Sequence, residues 1–380
     1  HPAVYGESLK AGSGAPTVLI YGHYDVQPVD PLELWTTDPF KAEVRGENLF
    51  ARGSSDMKGQ VIASMKAVES VARTSGLPVN LKWLIEGEEE IGSKNLGEFI
   101  KKNAKMLKAD FCINPDAGMI GADLPTITYG LRGLAYFEIR VYGPNRDLHS
   151  GLQALVELIA GMHDKKGRIT LPGFYDKVRK AGKAERAEIA RLPIKPKDIV
   201  KMTGAPALWG EAEYTPEERV SIRPTLEVNG LLSGFTGEGS KTVLPAWAMA
   251  KISCRLVPDQ TPEMIEKAMI KYVKANTPKT IRSEVKIITG SGAAITERDS
   301  MGVQAMAKGL EQAWGKRPLF KREGGSIGVV VQLQEYVGVD SVLTGFGLPE
   351  DNAHSPNEKL HLPTWRKGID ALIHTIFNLT

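Results

Sequence analysis

With 380 residues the chain is longer than a single hydrophobic core usually supports, so we expect two compact units. A hydrophobic share of 42% and a charged share of 24% are globular values and exclude a disordered, collagen-like or coiled-coil chain. The net charge of +3 is too nearly balanced to support binding of the whole chain to nucleic acid or to a membrane surface.

The first third of the sequence predicts a parallel sheet with helices between its strands. Short apolar runs at 17–21, 81–85 and 110–113 predict buried strands. Apolar residues at helical spacing from Met57 onward predict a helix that closes at Gly76. Ser93 is typical of the N-cap of a further helix that runs to about Lys102. Because strands that alternate with helices form βαβ units, we expect these strands to share one sheet.

The pattern changes after position 130, where apolar and polar residues alternate. Ala135, Phe137, Ile139 and Val141 are separated by polar or aromatic residues, which predicts a strand with two unlike faces in an antiparallel sheet. The elements that follow complete the order βαββαβ of a ferredoxin-like unit. They are a helix at 153–162, strands at 225–228 and 247–256, a helix at 262–276 and a strand at 283–288.

The smaller unit is predicted to be inserted into the larger one. A helix at 301–314, a strand at 341–344 and a helix at 364–377 return to the α/β pattern. We therefore predict an α/β fold in which a discontinuous, mostly parallel-sheet domain covers 1–132 and 290–380. An α+β ferredoxin-like domain would cover 133–289 and would itself carry a polar insertion near 165–222.

Polar side chains follow the predicted strands of the larger unit. Ligands of open parallel sheets bind beyond the carboxyl ends of the strands, so these side chains are the candidates for a site. They include histidines and carboxylates but no cysteine, a ligand set suited to zinc, manganese or cobalt. The residues are His23, Asp25, Asp56, Glu88, Glu89, Glu90, Asp116 and His354.

The charges of these candidates favour two metal ions. Asp56, Glu90 and Asp116 would repel one another strongly without cations, and two divalent ions would more than offset their charge. Asp25 can accept the second imidazole N–H of His23 and so fix its tautomer. Each residue also has an ordinary structural interpretation, such as an N-cap or an acidic helix start. The residues alone leave open which glutamate of the run 88–90 has which role.

The chain carries little information about its location. Cys112 and Cys254 are the only cysteines, which excludes a disulfide framework, leaves one optional bridge and suits a reducing compartment. Apolar runs are far shorter than the roughly 20 residues of a membrane span. The sequence begins with His1 rather than Met, so a preceding segment is expected. We expect a cytoplasmic protein with no membrane and no nucleic-acid partner.

Six phrases occur in order along nearly the whole chain: YGHYDVQP at 21–28, GSSDMKG at 53–59, EGEEEIGS at 86–93, DLHSG at 147–151, REGGS at 322–326 and AHSPNE at 353–358. They are similar to the co-catalytic zinc exopeptidases that include carnosine dipeptidase, aminoacylase and succinyl-diaminopimelate desuccinylase. Two further phrases, KTVLP at 241–245 and SCRLVP at 253–258, resemble the carnosine-dipeptidase-like branch most closely.

The resemblance implies a hydrolase with two divalent metal ions, zinc first and manganese or cobalt as alternatives. Glu89 would be the general base that removes a proton from water and returns it to the leaving amine. The implied metal ligands are Asp56 as the bridge, His23 and Asp116 on one ion, and Glu90 and His354 on the other, with Asp25 behind His23.

The resemblance also implies roles for the smaller domain as a lid and a homodimer interface. His149 would stabilise the tetrahedral oxyanion, often in the active site of the partner subunit. Arg255 and Thr242 would bind the terminal carboxylate of a small peptide substrate. The substrate pocket would be lined by Glu323, Gly325 and Ser326.

The implied reaction is hydrolysis of the amide bond in dipeptides or short peptides that have a free C-terminal carboxylate. An N-acyl-amino-acid deacylase is the alternative enzyme, and a catalytically silent peptide-binding scaffold is the alternative of another class. Two departures from the family pattern are visible. Met57 replaces an acidic residue common in relatives, and Leu152 runs directly into a helix where relatives have a glycine-rich loop, which we expect to be missing from the numbering.

Overall fold

The structure is a computed structural model that describes residues 2–144 and 149–380. The strands are β1 (Val4–Ser8), β2 (Thr17–His23), β3 (Glu43–Arg45), β4 (Asn48–Phe50), β5 (Asn80–Glu86), β6 (Phe111–Asn114), β7 (Thr126–Leu131), β8 (Gly133–Tyr142), β9 (Thr225–Leu232), β10 (Trp247–Leu256), β11 (Arg282–Ser291), β12 (Ala294–Ile295), β13 (Leu319–Glu323), β14 (Ser341–Leu343) and β15 (Lys359–His361). The helices are α1 (Lys58–Thr74), α2 (Leu96–Lys102), α3 (Ala104–Leu107), α4 (Gly151–Ala160), α5 (Lys183–Ile189), α6 (Pro196–Thr203), α7 (Pro216–Ser221), α8 (Pro262–Asn276), α9 (Met301–Trp314), α10 (Gly328–Gln332) and α11 (Leu362–Phe377).

The chain divides into two compact units. Unit 1 comprises His1–Tyr129, Ile295–Lys321 and Ile327–Thr380, and unit 2 comprises Gly130–Ala294 and Arg322–Ser326. The fold is α/β with additional antiparallel sheets, as the sequence predicts.

The large sheet has the strand order β1-β5-β2-β6-β14-β7-β12, and β13 also pairs with β7. Strands β5, β2, β6 and β14 run parallel to their neighbours in this order, whereas β1 and β7 pair antiparallel. Val18, Ile20, Leu81 and Ile113 on these parallel strands are almost fully buried, which is why the strands read as continuous apolar runs. The parallel strands end at one edge of the sheet, and this edge positions the candidate site.

Unit 1 has a core between this sheet and the helices α1, α9 and α11. Ala63, Ala67 and Val71 recur at helical spacing on the buried face of α1, and Val303 and Leu310 do the same on α9. A separate small sheet pairs β15 with β4 and β4 with β3. The strand β15 directly follows one candidate site phrase, at 353–358.

Unit 2 contains a four-stranded antiparallel sheet with the order β11-β8-β10-β9. This is the strand order 4-1-3-2 of the predicted βαββαβ arrangement. Ala135, Phe137, Ile139 and Val141 of β8 are fully buried against α4 and α8, and the alternating residues are not. The insertion near 165–222 contains α5, α6 and α7.

One helix start predicted from the sequence is wrong. The helix expected at Ser93 begins at Leu96, and Ser93 has a left-handed backbone with φ 47°. Its hydroxyl donates to the buried Glu86 carboxylate at 2.9 Å instead of capping a helix. Among the described residues, no helix is both long enough and apolar enough to cross a bilayer.

Candidate metal centre

The candidate site lies where the parallel strands of unit 1 end. His23 is the last residue of β2 and pairs in register with Glu86, the last residue of β5. Asp116 follows β6 by two residues, and Asp56 precedes the first residue of α1 by two. Strand ends and a helix start therefore bring these polar side chains to one edge of the sheet.

Asp56 contacts a histidine with each of its carboxylate oxygens. Its Oδ1 lies 3.2 Å from Nε2 of His23, and its Oδ2 lies 2.7 Å from Nε2 of His354. These two histidines are separated by more than 300 residues and belong to different loops. A carboxylate that reaches two imidazoles in this way has the geometry of a bridge between two neighbouring sites.

Two groups of potential ligands share Asp56. In the first group, Nε2 of His23 is also 3.8 Å from Oδ1 of Asp116. In the second group, Nε2 of His354 is also 3.2 Å from Oε2 of Glu90. Within each group the potential ligand atoms lie within 4.8 Å of one another. Imidazole nitrogens and carboxylate oxygens without thiolates fit zinc, manganese or cobalt, so the residues present fit two divalent ions.

Asp25 and Gln27 hold two of these side chains from behind. The Asp25 carboxylate lies 3.3 Å from Nδ1 of His23 and accepts the backbone N–H of Glu90 at 3.0 Å. Gln27 donates from Nε2 to Oε2 of Glu90 at 2.8 Å. The hydrogen bond of Nδ1 joins it to the backbone carbonyl of Asp25 at 3.1 Å, which leaves Nε2 of His23 directed at Asp56 and is the tautomer control that a ligand histidine requires.

The loop that presents Asp56 is fixed by one buried carboxylate, that of Glu358. Its Oε1 accepts the backbone N–H groups of Ser55 and Asp56 at 2.9 and 3.0 Å. Its Oε2 accepts the backbone N–H of Gly53 at 2.9 Å and the guanidinium of Arg52 at 2.8 Å. Four donors on one carboxylate hold the 52–56 loop against the segment that carries His354.

Met57 is fully buried directly after Asp56, and its Sδ accepts the backbone N–H of His23 at 3.3 Å. Met57, which stands where relatives commonly have an acidic residue, thus packs against the end of β2 that carries His23. A thioether places no charge there.

The histidines of the site have raised pKa values. Burial alone lowers the pKa of His23, but its interactions with the carboxylates of Asp116 and Asp56 outweigh burial and raise the pKa to about 11. The hydrogen bond to Asp56 raises the pKa of His354 to about 9. Burial opposes ionisation of Asp56, but the same two histidines hold the pKa of Asp56 well below its usual range. The acidic cluster therefore attracts cations, which are protons when no metal is bound.

The three consecutive glutamates have different environments. Burial, followed by the charge of Asp116, raises the pKa of Glu89 to about 7, and its carboxylate makes no hydrogen bond to a described residue. Burial and the charge of Asp56 raise the pKa of Glu90. Glu88 instead bonds to Asn95 at 2.9 Å. Of these three glutamates, Glu89 is the one that lies near the cluster with a carboxylate free of hydrogen bonds to any described residue, which is the state a proton acceptor needs.

A cleft of about 360 Å³ opens beside Asp56 and Asp116 within unit 1. It is lined on its other sides by residues such as Met119, Lys321 and Leu348. A cleft of this volume accommodates a small organic molecule beside the ligand groups.

The remaining predicted site residues belong to unit 2. His149 is partly exposed, with Nε2 3.7 Å from Oε2 of Glu157. Arg255 donates to the Ser326 hydroxyl at 3.4 Å, so the structure brings these two together. The other three are Thr242, exposed in the loop between β9 and β10, Glu323, the last residue of β13, and Gly325 in the turn after it. Asp147 of the quoted phrase at 147–151 lies outside the described residues.

Sequence reasoning missed the supporting residues Gln27, Arg52 and Glu358. Gln27 and Glu358 stand inside two of the phrases that carry the resemblance, which is the signal that could have singled them out. Ligand chemistry could not single them out, because in this site Gln27 and Glu358 act through hydrogen bonds to a ligand side chain and to the backbone, which residue type alone does not show.

Three comparisons with known proteins identify the family of this chain. A family model described as Peptidase family M20/M25/M40 matches residues 19–378. The chain is similar to the Cys-Gly metallodipeptidase dug1 of Schizosaccharomyces pombe, with 34% identity over 371 residues, 93% of this chain and 78% of the relative. It is similar to the human Beta-Ala-His dipeptidase, with 31% identity over 97% of this chain and 75% of the relative. Among solved structures, the M20 family metallo-carboxypeptidase Sso-CP2 from Sulfolobus solfataricus matches with a TM-score of 0.83 and 33% identity, covering 100% of this chain and 88% of that one.

Proposed function

The chain belongs to peptidase family M20/M25/M40, and from this premise we propose that it hydrolyses the peptide bond of dipeptides and other short peptides with a free C-terminal carboxylate. It is a metal-dependent hydrolase of the metallopeptidase type. The names of its relatives include a Cys-Gly and a Beta-Ala-His dipeptidase, which supports a dipeptide substrate. The observation that carries the proposal is the pair of ligand groups that share Asp56, with Glu89 beside them.

We propose that the site holds two divalent ions, zinc in the first place. His23 and Asp116 would be ligands of one ion, Glu90 and His354 would be ligands of the other, and Asp56 would bind both. The contacts of Asp56 to one histidine of each group support this division. Asp25 would keep Nδ1 of His23 protonated so that Nε2 is free to bind.

Glu89 would be the general base. Bound divalent ions would supply a water of lowered pKa and an electrophile for the scissile carbonyl. The Glu89 carboxylate would take the proton of the attacking water, and its pKa of about 7 suits it both to accept that proton and to return it to the leaving amine. Its lack of hydrogen bonds to described residues leaves both oxygens available for this transfer.

The two units would have different roles in the reaction. Unit 1 would be the catalytic domain and unit 2 the lid and dimerisation domain, with the boundaries expected at 132 and 290. His149 would stabilise the oxyanion, and Arg255 with Thr242 would bind the substrate carboxylate. Glu323, Gly325 and Ser326 would line the substrate pocket.

We also propose a homodimer formed through unit 2. The strand β9 lies at one edge of the four-stranded sheet, and an unpaired edge is a template for pairing with a second chain. Exposed apolar side chains lie on β9, in the loop after it and at the start of β10, which supports a protein partner there. They are Val228, Leu231, Leu232, Phe235 and Trp247.

The cytoplasmic location stays a prediction that rests on the two cysteines, both of which are free and buried.

One experiment tests the activity and separates it from its alternatives. Metal-free protein is loaded with zinc, manganese or cobalt in turn, its metal content is measured, and it is assayed with a panel of dipeptides, dipeptide amides and N-acetyl-amino acids. Hydrolysis of the free dipeptides supports the proposal. Hydrolysis of the N-acetyl-amino acids alone would identify a deacylase. Stoichiometric metal without hydrolysis of any of them would identify a silent binding scaffold.

A further inference from the structure

Two arginines of unit 2 converge on the same serine. Arg132 is the single residue between β7 and β8, and Arg255 lies on β10, opposite Leu134 of β8. The Ser326 hydroxyl donates to the carbonyl oxygen of Arg132 and accepts from Nη1 of Arg255 at 3.4 Å. The two residues are therefore held together by strand pairing and by a shared contact.

The guanidinium of Arg132 is fixed but incompletely bonded. Its Nε donates to the carbonyl of Gly324 at 3.1 Å, and its backbone N–H donates to the carbonyl of Gly325 at the same distance. Its Nη1 is buried and has no hydrogen-bond partner among the described residues. A buried, charged N–H without an acceptor is costly, so the side chain is preorganised for an acceptor that the protein does not itself provide.

The charges around Arg132 point in the same direction. Burial, followed by the positive charge of Arg255, lowers the pKa of Arg132 to about 10, and Glu323 and Glu227 only partly offset this. Two nearby guanidinium groups repel each other until an anion lies between them. A carboxylate is the anion that matches guanidinium forks in shape and charge.

A purely structural role accounts for only part of this arrangement. The bonds to Gly324 and Gly325 tie the start of β8 to the turn at 324–326, and a neutral donor would serve the same purpose. Such a role gives no reason to place a second arginine beside Arg132 or to leave Nη1 unbonded.

We propose that Arg132 and Arg255 together form one carboxylate-binding site in unit 2, in which Arg132 contributes the buried Nη1 donor. The carboxylate is the C-terminal one of the peptide substrate, and this identification rests on the proposed function. Arg132 is then a residue that makes the enzyme specific for free C-termini over amides.

Binding to metal-free protein tests the site without turnover. Titration calorimetry compares Ala-Gly with Ala-Gly amide for the wild type and for Arg132→Met, which retains the unbranched first part of the side chain but removes the guanidinium and its charge. We expect the variant to lose about 10- to 100-fold in affinity for the free acid, because a charge-assisted hydrogen bond is lost, and to bind the amide unchanged. Arg140→Met, at an exposed position of β8, is the matched control and should change neither affinity.

Kinetic assays of the metal-loaded enzyme with Ala-Gly and Ala-Gly amide give the second measurement. Arg132→Met should raise KM for Ala-Gly and leave kcat/KM for the amide as in the wild type. Equal losses for acid and amide, in binding or in turnover, would show that Arg132 has a structural role only and would overturn the inference.

A second variant covers the case in which Arg132→Met does not fold, as judged by its thermal melt. Arg132→Lys keeps the charge but not the forked geometry of the guanidinium, and it should weaken binding of Ala-Gly alone. A parallel loss for the amide would again overturn the inference.

The outcomes also separate the two proposals. If no dipeptide is hydrolysed but the acid binds in an Arg132-dependent way, the proposed function fails and the site stands. If dipeptides are hydrolysed and Arg132 does not discriminate acid from amide, the function stands and the site fails.

Discussion

Arg52 and Glu358 form a buried ion pair, with Nη1 and Oε2 2.8 Å apart, although 306 residues separate them in the sequence. Both side chains are almost fully excluded from solvent. The same carboxylate accepts the backbone N–H groups of Gly53, Ser55 and Asp56. The pair therefore connects the loop of the bridging candidate Asp56 with the C-terminal part of unit 1.

Removing the charge of Glu358 should loosen the loop that carries Asp56. We expect Glu358→Gln to lower the free energy of unfolding by about 3 to 5 kcal/mol, because the charge of Arg52 stays buried without a partner. In the protein that remains folded, affinity for both metal ions should fall, since both groups of ligands share Asp56. Urea unfolding and titration with a competing chelator measure the two effects.

Glu350→Gln is the control for this prediction, because Glu350 is exposed in the same segment of the chain. It should change neither stability nor metal affinity. Wild-type metal affinity in folded Glu358→Gln protein would show that Glu358 stabilises the fold without positioning Asp56.

Substitution of each of the three adjacent glutamates by glutamine should have a different effect. Glu89→Gln should retain its metal content and lose about 100- to 10,000-fold in kcat, because an amide cannot accept the proton of water. Glu90→Gln should lose metal affinity first. Glu88→Gln is the matched control, since Glu88 bonds to Asn95 and should affect neither quantity. Elemental analysis and dipeptide assays on the same samples check all three, and near-normal turnover by Glu89→Gln would refute the base assignment.

Metal affinity should rise with pH. With no metal bound, contacts with carboxylates raise the pKa of His23 to about 11 and that of His354 to about 9. Both histidines therefore carry protons at neutral pH, and a metal ion has to displace them. The apparent affinity should increase up to about tenfold per pH unit for each proton released, and the contribution of His354 should level off above its pKa.

Chelator competition at several pH values, with proton release counted from the buffer dependence of the binding enthalpy, measures this slope. His354→Gln should make the slope shallower. His361→Gln is the control, because His361 lies outside both ligand groups. An affinity that does not change between pH 6 and 9 would contradict the protonated state of the metal-free site.

Sequence patterns predicted those elements whose signals are local. The strand at 247–256 and the helices at 262–276 and 301–314 have the predicted bounds. Alternating burial defines the strand, and the Thr261 hydroxyl, which accepts the N–H of Met264, fixes the start of the first helix. The short strands β3, β4 and β15 were not predicted, because three residues carry too little pattern and their pairing connects distant parts of the chain.

The candidate ligands could be predicted for a similar reason. Strand ends and metal-binding residue types are visible in the sequence, so His23, Asp56 and Asp116 could be grouped before any geometry was known. The role of Glu358 could not, since its contacts to backbone N–H groups exist only after the chain has closed on itself. The helix expected at Ser93 failed because a tertiary contact to Glu86 competed with the local cap.

The last prediction concerns His149, which belongs to unit 2, whereas the ligand groups belong to unit 1. If His149 acts in the active site of the partner subunit, the inactive variants Glu89→Gln and His149→Ala should complement each other. In a mixed dimer one site would combine an intact Glu89 with an intact His149 from the other chain. An equal mixture after subunit exchange should therefore regain about one quarter of wild-type activity, because half of its dimers are mixed and each has one complete site.

Light scattering establishes that dimers form, and two differently tagged chains establish that they exchange. Each variant alone should stay inactive. Glu157→Gln is the local control, because Glu157 lies beside His149 in the same unit and its carboxylate has no role in the proposed reaction. Recovery of activity places His149 across the dimer, since no single chain in the mixture carries both residues. A monomer in solution, or verified mixed dimers without activity, would restrict His149 to its own chain or to a role outside catalysis.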